Sequence, residues 1–391
     1  MTSPPTRDAG PLLRVALLTY STRPRGGVVH TLALAEALAA RGHEVTVWTL
    51  ARHGDTDFFR RVAPAVQVRA VPLPDVADEG VGERILRSIA VLGAALEASN
   101  DAVDVMHAQD CISANAAGGR ARATLPGYLR TVHHIDHFTT PELVACHERA
   151  IREPHAHICV SAAVAAELAD GWGIDATVIP NGVDAARFAA AAGAGPSAAT
   201  ERVQWRDRLG RYVLAVGGIE PRKGTADLVE AMALVQAVDP ALALVVAGGE
   251  TLFDYRDYRA SVLARANELG VRLLLLGPVD DEALPSCVAA AEAFAFPSLQ
   301  EGFGLAAMEA LAAGVPLVVR DLPVLREVFA GAARFAPDVA SLASLLLDAA
   351  GPRDEAARER GHVLAAGHSW ADSAAAHVRL YRRLLAAAER L

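Results

Sequence analysis

The sequence predicts an α/β protein built as two doubly wound, Rossmann-like domains. Three observations carry the prediction. Short, wholly apolar runs alternate with helical stretches along most of the chain, as in parallel sheets covered on both faces. Glycine turns stand where several of these runs give way to a helix. The alternation breaks at AAAAGAGPSAAT, residues 189–200, and then restarts.

Residues 1–11 read as a polar, proline-containing tail. Leu13–Thr19 is a strand, and Pro24-Arg25-Gly26-Gly27 a turn. Val28 to Arg41 has helical periodicity, with Gly42 where a helix C-terminal glycine is expected. Glu44–Thr49 completes a βαβ unit. VQVRAVPL, a helix through Glu83–Ala98, DVMHA, a helix near Ala114–Ala123 and GYLRTVHH follow. HICVSA and ATVIPNGV close a first domain drawn over residues 12–188. The Gly/Pro/Ser-containing stretch after it reads as a linker and hinge. A second domain, 201–368, carries the strands YVLAVGG, LALVVAGG, RLLLLGPV, AFAFPS and PLVVR. The segment 369–391 holds an amphipathic helix over Trp370–Arg390 that is expected to pack back on the first domain. Ligand crevices are expected at the carboxyl ends of the strands.

Composition narrows the function. Over 391 residues, 52% are hydrophobic and 21% charged, which describes a folded chain. The formal charge of −9 argues against a general nucleic-acid binder but leaves room for a local basic phosphate site. Cys111, Cys146, Cys159 and Cys287 are scattered without zinc spacing, so a reduced, cytoplasmic compartment is expected. The run LLRVALLTY is broken by Arg14 and reads as a strand, not a leader. No apolar run approaches the ~18–20 residues of a membrane span. Arg60-Arg61, Arg84, Arg87, Arg120 and Arg122 leave room for peripheral contact with an anionic inner membrane face, although solvated helix faces also explain them.

Four stretches carry candidate chemistry. Gly26-Gly27 opens a helix after the first strand, where glycine amides and the helix N-terminus favour a phosphate. It matches neither the dinucleotide glycine pattern nor a Walker loop. An ordinary strand-to-helix turn is the plain alternative. Gly217-Gly218-Ile219-Glu220-Pro221-Arg222-Lys223-Gly224 puts two cations beside glycines in a loop of the same kind, suited to charge building on a leaving diphosphate. Ser298 to Val319, SLQEGFGLAAMEALAAGVPLVV, sets Glu301 in a turn and Glu309 inside an otherwise apolar helix. A carboxylate accepts hydrogen bonds from sugar hydroxyls. Glu301 could merely complement the helix dipole, but that does not explain Glu309. Thr131-Val132-His133-His134-Ile135-Asp136-His137 invites a metal reading. Adjacent strand residues face opposite ways, so His133 and His134 cannot share an ion, and a strand-end histidine that bonds substrate is preferred. Pro180-Asn181-Gly182-Val183-Asp184 reads as a structural turn.

In this order the pieces resemble the retaining GT-B glycosyltransferases of family 4, the glycosyl transferases group 1 superfamily. The resemblance runs from about Leu13 to Tyr381. It is strongest in PSLQEGFGLAAMEALAAGVPLVVRDLPVLREV, similar to that family's Glu-x7-Glu donor signature. IPNGVD with Phe188, VGGIEPRKG and HSWADSAAAHVRLYRRLL are similar to other family segments. The resemblance implies two Rossmann-like domains facing a central cleft, and donor sugar hydroxyls bound by Glu301. The amides of Gly302, Phe303, Gly304 and Leu305 would bind sugar and diphosphate, and Glu309 the ribose. Lys223 would grip the diphosphate, with Gly26, Gly27 and His133 near the reacting centre. Val279, in the loop GPVDDEAL, would meet the base. The family arginine after the first glycine of VGG is Gly218 here; Arg222 is the candidate replacement.

The activity so implied moves a sugar from a UDP-, GDP- or ADP-sugar to an acceptor hydroxyl, by a front-face route without metal or other cofactor. The competing readings are a nucleotide-sugar epimerase or phosphorylase of related fold, and a non-catalytic nucleotide-sugar sensor. The sequence is silent on donor base, sugar, acceptor and oligomeric state.

Overall fold

The computed structural model describes residues 10–52, 54–121, 127–135, 138, 140–249, 255–352 and 354–390, with the side chains of 120 and 121 left aside. Asp136 and His137 of the histidine stretch, and Arg122, lie outside the described residues. The chain divides into two compact units, one of residues up to Gly182 with Trp370–Leu391, the other Val183–Ser369.

The first unit follows the expected alternation: β1 (Arg14–Leu18), α1 (Gly26–Ala40), β2 (Glu44–Arg52), β3 (Val66–Leu73), α2 (Val81–Ala98), β4 (Val105–Ala108), α3 (Cys111–Ala121), β5 (Tyr128–Val132), α4 (Pro141–Arg152), β6 (Ala156–Cys159), α5 (Ala162–Trp172) and β7 (Ala176–Val178). The second continues with α6 (Ala185–Ala192), α7 (Pro196–Leu209), β8 (Arg211–Val216), α8 (Thr225–Val238), β9 (Leu242–Ala247), α9 (Arg256–Glu268), β10 (Leu273–Gly277), α10 (Leu284–Ala289), β11 (Ala293–Phe296), α11 (Leu305–Ala312), β12 (Leu317–Arg320), α12 (Pro323–Phe329), β13 (Arg334–Ala336), α13 (Val339–Ala349) and α14 (Glu355–Ala366). The chain ends in α15 (Trp370–Ala388), which packs on α1 within the first unit.

Both sheets are parallel. The first runs β3-β2-β1-β4-β5-β6-β7, the second β10-β9-β8-β11-β12-β13. Each chain path starts at a central strand, moves outward, then returns to the other side. That reversal creates a topological switch point, between β1 and β4 and between β8 and β11. Loops diverge there and leave a crevice. The strands are buried on both faces because helices cover them: Leu17, Val47 and Leu129 join Leu32, Leu38 and Val378 in the first core, and Val213, Leu244 and Val318 join Val229, Met232 and Leu346 in the second.

Two expectations are corrected. Residues 189–200 are not an open linker: they fall largely in α6 and the start of α7. Alanine is the strongest helix former, and Pro196 sits at the first turn of α7, where its missing N–H costs nothing. The division falls at Gly182/Val183, not at 188. Asp184 caps α6 by accepting from the Arg187 amide at 3.1 Å, and Phe188 is buried where α6 packs on α10 and α11 of the second unit.

Candidate functional site

In the second unit the two motif loops meet at the β8/β11 switch point. Beyond β8 the chain runs through Gly217 and Gly218 into a 3-10 turn, Pro221–Lys223, closed by Gly224 in the left-handed region at φ +65°. A Cβ at Gly224 would lie 2.2 Å from the Pro297 carbonyl oxygen, so only glycine lets this loop rest on the one after β11. The Arg222 carbonyl accepts from the Leu299 amide at 2.7 Å, a second tie between the loops. Gly217, Gly218, Lys223, Phe296, Pro297 and Ser298 line a recess between them.

Lys223, part of that lining, pairs with Glu301. Lys223 Nζ donates to Glu301 Oε2 at 2.7 Å and lies 5.1 Å from the centre of the Phe296 ring. Both side chains are largely shielded, at 19% and 13% exposure, so their attraction is stronger than a surface pair's. Glu301 Oε1 also accepts from the Gly302 amide at 3.4 Å. The Arg222 Nε donates to Glu220 at 2.9 Å.

Gly304 fixes the start of α11 in the left-handed region at φ +93°, and a Cβ there would press on Phe329 and Phe296 at 3.1 to 3.2 Å. The Phe303 side chain is buried with its ring 5.6 Å from that of His368, so only its backbone serves the turn. Amides at the start of α11 have no carbonyl four residues earlier within the helix, and no acidic side chain occupies its first turn. The carboxyl of Glu309, one turn in, makes no hydrogen bond or ion pair among the described residues. Burial pushes its carboxyl up to about 8; Arg187 opposes this, and Asp281 and Asp184 reinforce it. Arg187 is itself held by Asp281 at 2.9 Å. Val279 lies half-buried in the loop after β10.

Sequence reasoning missed Arg320 at the end of β12. It is buried, pairs with Asp227 of α8, and its Nε donates to the Pro297 carbonyl at 3.4 Å. It braces the Glu301 loop from behind. A strand-end arginine in PLVVRD was the available signal.

In the first unit, the loops at the β1/β4 switch point bring Gly26-Gly27 and Gln109 beside the end of β5. A Cβ at Gly27 would sit 3.7 Å from the His133 ring and 3.9 Å from the Gln109 carbonyl, while one at Gly26 would meet nothing within 4 Å. His133, not His134, therefore borders the glycine turn. Behind it lies a group of histidines that no local pattern announces. His30 on α1 stands edge-on to His133 at 4.7 Å and shares a 2.8 Å hydrogen bond with Asn181. Asn181 thus anchors His30 as well as shaping the turn. His107 on β4 bonds Tyr381 of α15 at 2.8 Å and Thr131 at 2.7 Å, and His377 of α15 donates to the Ser373 carbonyl at 2.8 Å. Burial holds all four rings neutral: His133 is pushed down to about 3, His377 to about 4, and His30 and His107 well below the ordinary range. Of the basic residues considered for membrane contact, Arg60 is paired with Glu36 and Arg87 with Glu79. No described helix is long and apolar enough to cross a membrane.

A family model for Glycosyl transferases group 1 matches residues 201–343, and one for Glycosyltransferase Family 4 matches residues 24–187. Phosphatidyl-myo-inositol mannosyltransferase of Mycobacterium tuberculosis is 31% identical over 330 residues, covering 81% of this chain and 80% of that protein. D-inositol 3-phosphate glycosyltransferase of Salinispora arenicola is 30% identical over 344 residues, covering 78% and 76%. Among solved structures, sucrose-phosphate synthase from Thermosynechococcus elongatus aligns with a TM-score of 0.73 at 22% identity, covering 96% of this chain and 100% of that one. Anabaena HepE in complex with UDP-glucose aligns with a TM-score of 0.69 at 17% identity, covering 97% and 100%.

Two parallel-sheet units, each with its loops gathered at a switch point, define a GT-B protein. The chain belongs to the glycosyl transferases group 1, family 4, and is a glycosyltransferase.

Proposed function

We propose that this glycosyltransferase moves a sugar from a nucleotide-diphosphate donor to an acceptor hydroxyl with retention at the anomeric carbon and without a metal. The observation that carries the reading is the Lys223–Glu301 pair beside the free N-terminus of α11. A negative leaving group and a sugar need opposite things: fixed positive charge for one, hydrogen-bond acceptors for the other. Lys223 and the amides of Gly304 and Leu305 supply the first, Glu301 the second.

Catalysis then rests on positioning and on stabilising the departing diphosphate. Lys223 neutralises charge as the anomeric bond breaks. Glu301, held in place by Lys223, orients the sugar hydroxyls. Glu309 takes the ribose hydroxyls: a carboxyl destabilised by burial gains from the two donors a ribose presents. No carboxylate is assigned as a nucleophile. The acceptor attacks from the face the diphosphate leaves, and a leaving phosphate oxygen takes its proton. In the first unit, His133 borders the Gly26-Gly27 turn. His133 is neutral near pH 7 and can donate or accept a hydrogen bond without bringing charge.

A panel of UDP-, GDP- and ADP-sugars tests the reading, with thermal shift for binding and transfer or hydrolysis followed for each hit in the presence of a chelator. Binding of at least one donor with chelator-resistant turnover is expected. Conversion of the donor to its epimer without sugar release would support the epimerase instead, and binding without turnover the sensor.

A further inference from the structure

We propose that Cys111 and Cys146 form a redox-active pair that hydrogen peroxide closes to an intrachain disulfide, a modification site in the first unit separate from the sugar-transfer chemistry.

Two packed helices bring the sulfurs together. Cys111 is the first residue of α3, and Cys146 lies midway along α4, which packs on α3. The two side chains hydrogen-bond each other. The Cys146 thiol also reaches the Cys111 carbonyl at 4.0 Å. Asn115, one turn along α3, holds the arrangement. Its side-chain nitrogen lies 2.8 Å from the Cys111 carbonyl, 2.8 Å from the Cys146 carbonyl and 3.2 Å from Cys146 Sγ. Arg149 Nε donates to Asn115 Oδ1 at 2.9 Å and so fixes which way that amide faces.

The surroundings give the two thiols unequal roles. Cys146 is buried and Cys111 half-buried. The bond from Cys111 holds the Cys146 thiol below its ordinary value; burial and Asp110 oppose this, and Arg149 and Arg130 support it. Cys111 is pushed up, first by the same bond and then by burial. Arg130 of β5 is buried, and its Nε and Nη1 have no hydrogen-bond partner among the described residues. A buried cation favours a thiolate near it. The negative charge therefore belongs on Cys146 and the proton on Cys111. Cys159 and Cys287 are pushed up to about 12 and about 11, mainly by burial, and do not compete.

The chemistry follows from those roles. Peroxide meets the half-buried Cys111. Its sulfur attacks one peroxide oxygen while its proton passes to the Cys146 thiolate; the S–O bond forms, the O–O bond breaks and hydroxide leaves. The Cys146 sulfur then attacks Cys111. The S–S bond forms, the S–O bond breaks, and the departing hydroxide takes the Cys146 proton as water. The two sulfurs lose two electrons and one peroxide gains them. Closure is felt nearby. Asp110, beside Cys111, caps α3 by accepting from the Ser113 amide at 2.7 Å, and it also accepts from the Tyr20 amide at 3.1 Å. Tyr20 lies in the loop after β1 that leads to Gly26-Gly27. An S–S bond is about 2.05 Å long, shorter than a contact between two thiols, so it draws the first turn of α3 toward α4 and loads that loop.

Tryptic mapping of the full chain under non-reducing conditions, before and after hydrogen peroxide, tests the proposal. Oxidation is expected to remove two of the four free thiols and to join the peptides holding Cys111 and Cys146, with reversal by dithiothreitol. In C146S, Cys111 is expected to stop at a sulfenic acid that dimedone traps; C287S should close like the wild type. The wild-type map carries the test even if a variant fails to fold, which circular dichroism checks. Absence of the joined peptide, or oxidation of Cys159 and Cys287 at the same rate as Cys111, overturns the proposal. Hydrogen exchange on the reduced and oxidised wild type reads the consequence. A changed rate at Tyr20 and the loop after it is expected, and identical rates overturn the link from the disulfide to that loop.

Discussion

Lys223 Nζ sits 2.7 Å from Glu301 Oε2, joining two loops that are 78 residues apart in sequence and adjacent at the β8/β11 switch point. The pair means that neither residue can be altered alone without disturbing the other. Lys223→Met is expected to lower kcat/KM about 10²–10³-fold, the cost of removing one preorganised charge partner. Glu301→Gln should fall in the same range, and the double variant should cost clearly less than the product of the two. Steady-state kinetics on the three variants checks the coupling; multiplicative losses would separate the roles. Arg222→Ala, whose side chain serves Glu220, should change kcat/KM much less than Lys223→Met if the diphosphate relies on Lys223.

Glu309 gives a pH signature in stability. Its folded pKa, about 8, lies above the ordinary 4.5 because burial disfavours the charge. The fold therefore favours the protonated form. That contribution is fully present below about pH 4.5 and is lost as pH rises to about 8. Glu309→Gln should stabilise the protein increasingly over this window, by on the order of 2 kcal/mol at its upper end after allowing for solvent access. The same variant should weaken nucleotide binding. Denaturant melts at a series of pH values check the first effect, and nucleotide titrations the second.

The histidines of the first unit act in the opposite direction. His377 and His133 are depressed to about 4 and about 3 from an ordinary 6.5. The unfolded chain binds protons first as pH falls, so their contribution is present above pH 6.5 and lost on acidification through the folded values. His377→Gln should reduce the acid-side slope of stability by up to ~1.4 kcal/mol per pH unit. Histidine ring NMR should show the four neutral at pH 5.5. A ring titrating near 6.5 would contradict the buried arrangement.

Gly304→Ala should destabilise the second unit by about 1–3 kcal/mol, because φ +93° and the nearby rings of Phe329 and Phe296 both oppose a Cβ. Thermal unfolding checks this. Activity should fall further than stability predicts, since the α11 amides move with the turn.

Much of this was legible in the sequence for a physical reason. Parallel strands buried on both faces leave unbroken apolar runs, and ligand loops follow strand ends, so the RKG and EGFG loops are legible in the sequence pattern. What stayed hidden depends on long-range contact. His107 and His377 look unremarkable on a strand and a helix, yet both pack against Tyr381 in one buried group. Arg320 shows its use only once Asp227 and Pro297 are beside it. The alanine-rich segment reads as a linker when its Gly and Pro residues are taken as breakers. Alanine propensity and Pro196 at a helix start outweighed them.

The most direct test of the central claim is time-resolved proton NMR of donor turnover, in chelator, with a nucleotide sugar that binds. The account predicts that the first sugar product to appear carries the donor's anomeric configuration, and that Lys223→Met suppresses its formation. A first-formed product of inverted configuration, or turnover that requires an added divalent ion, would contradict it.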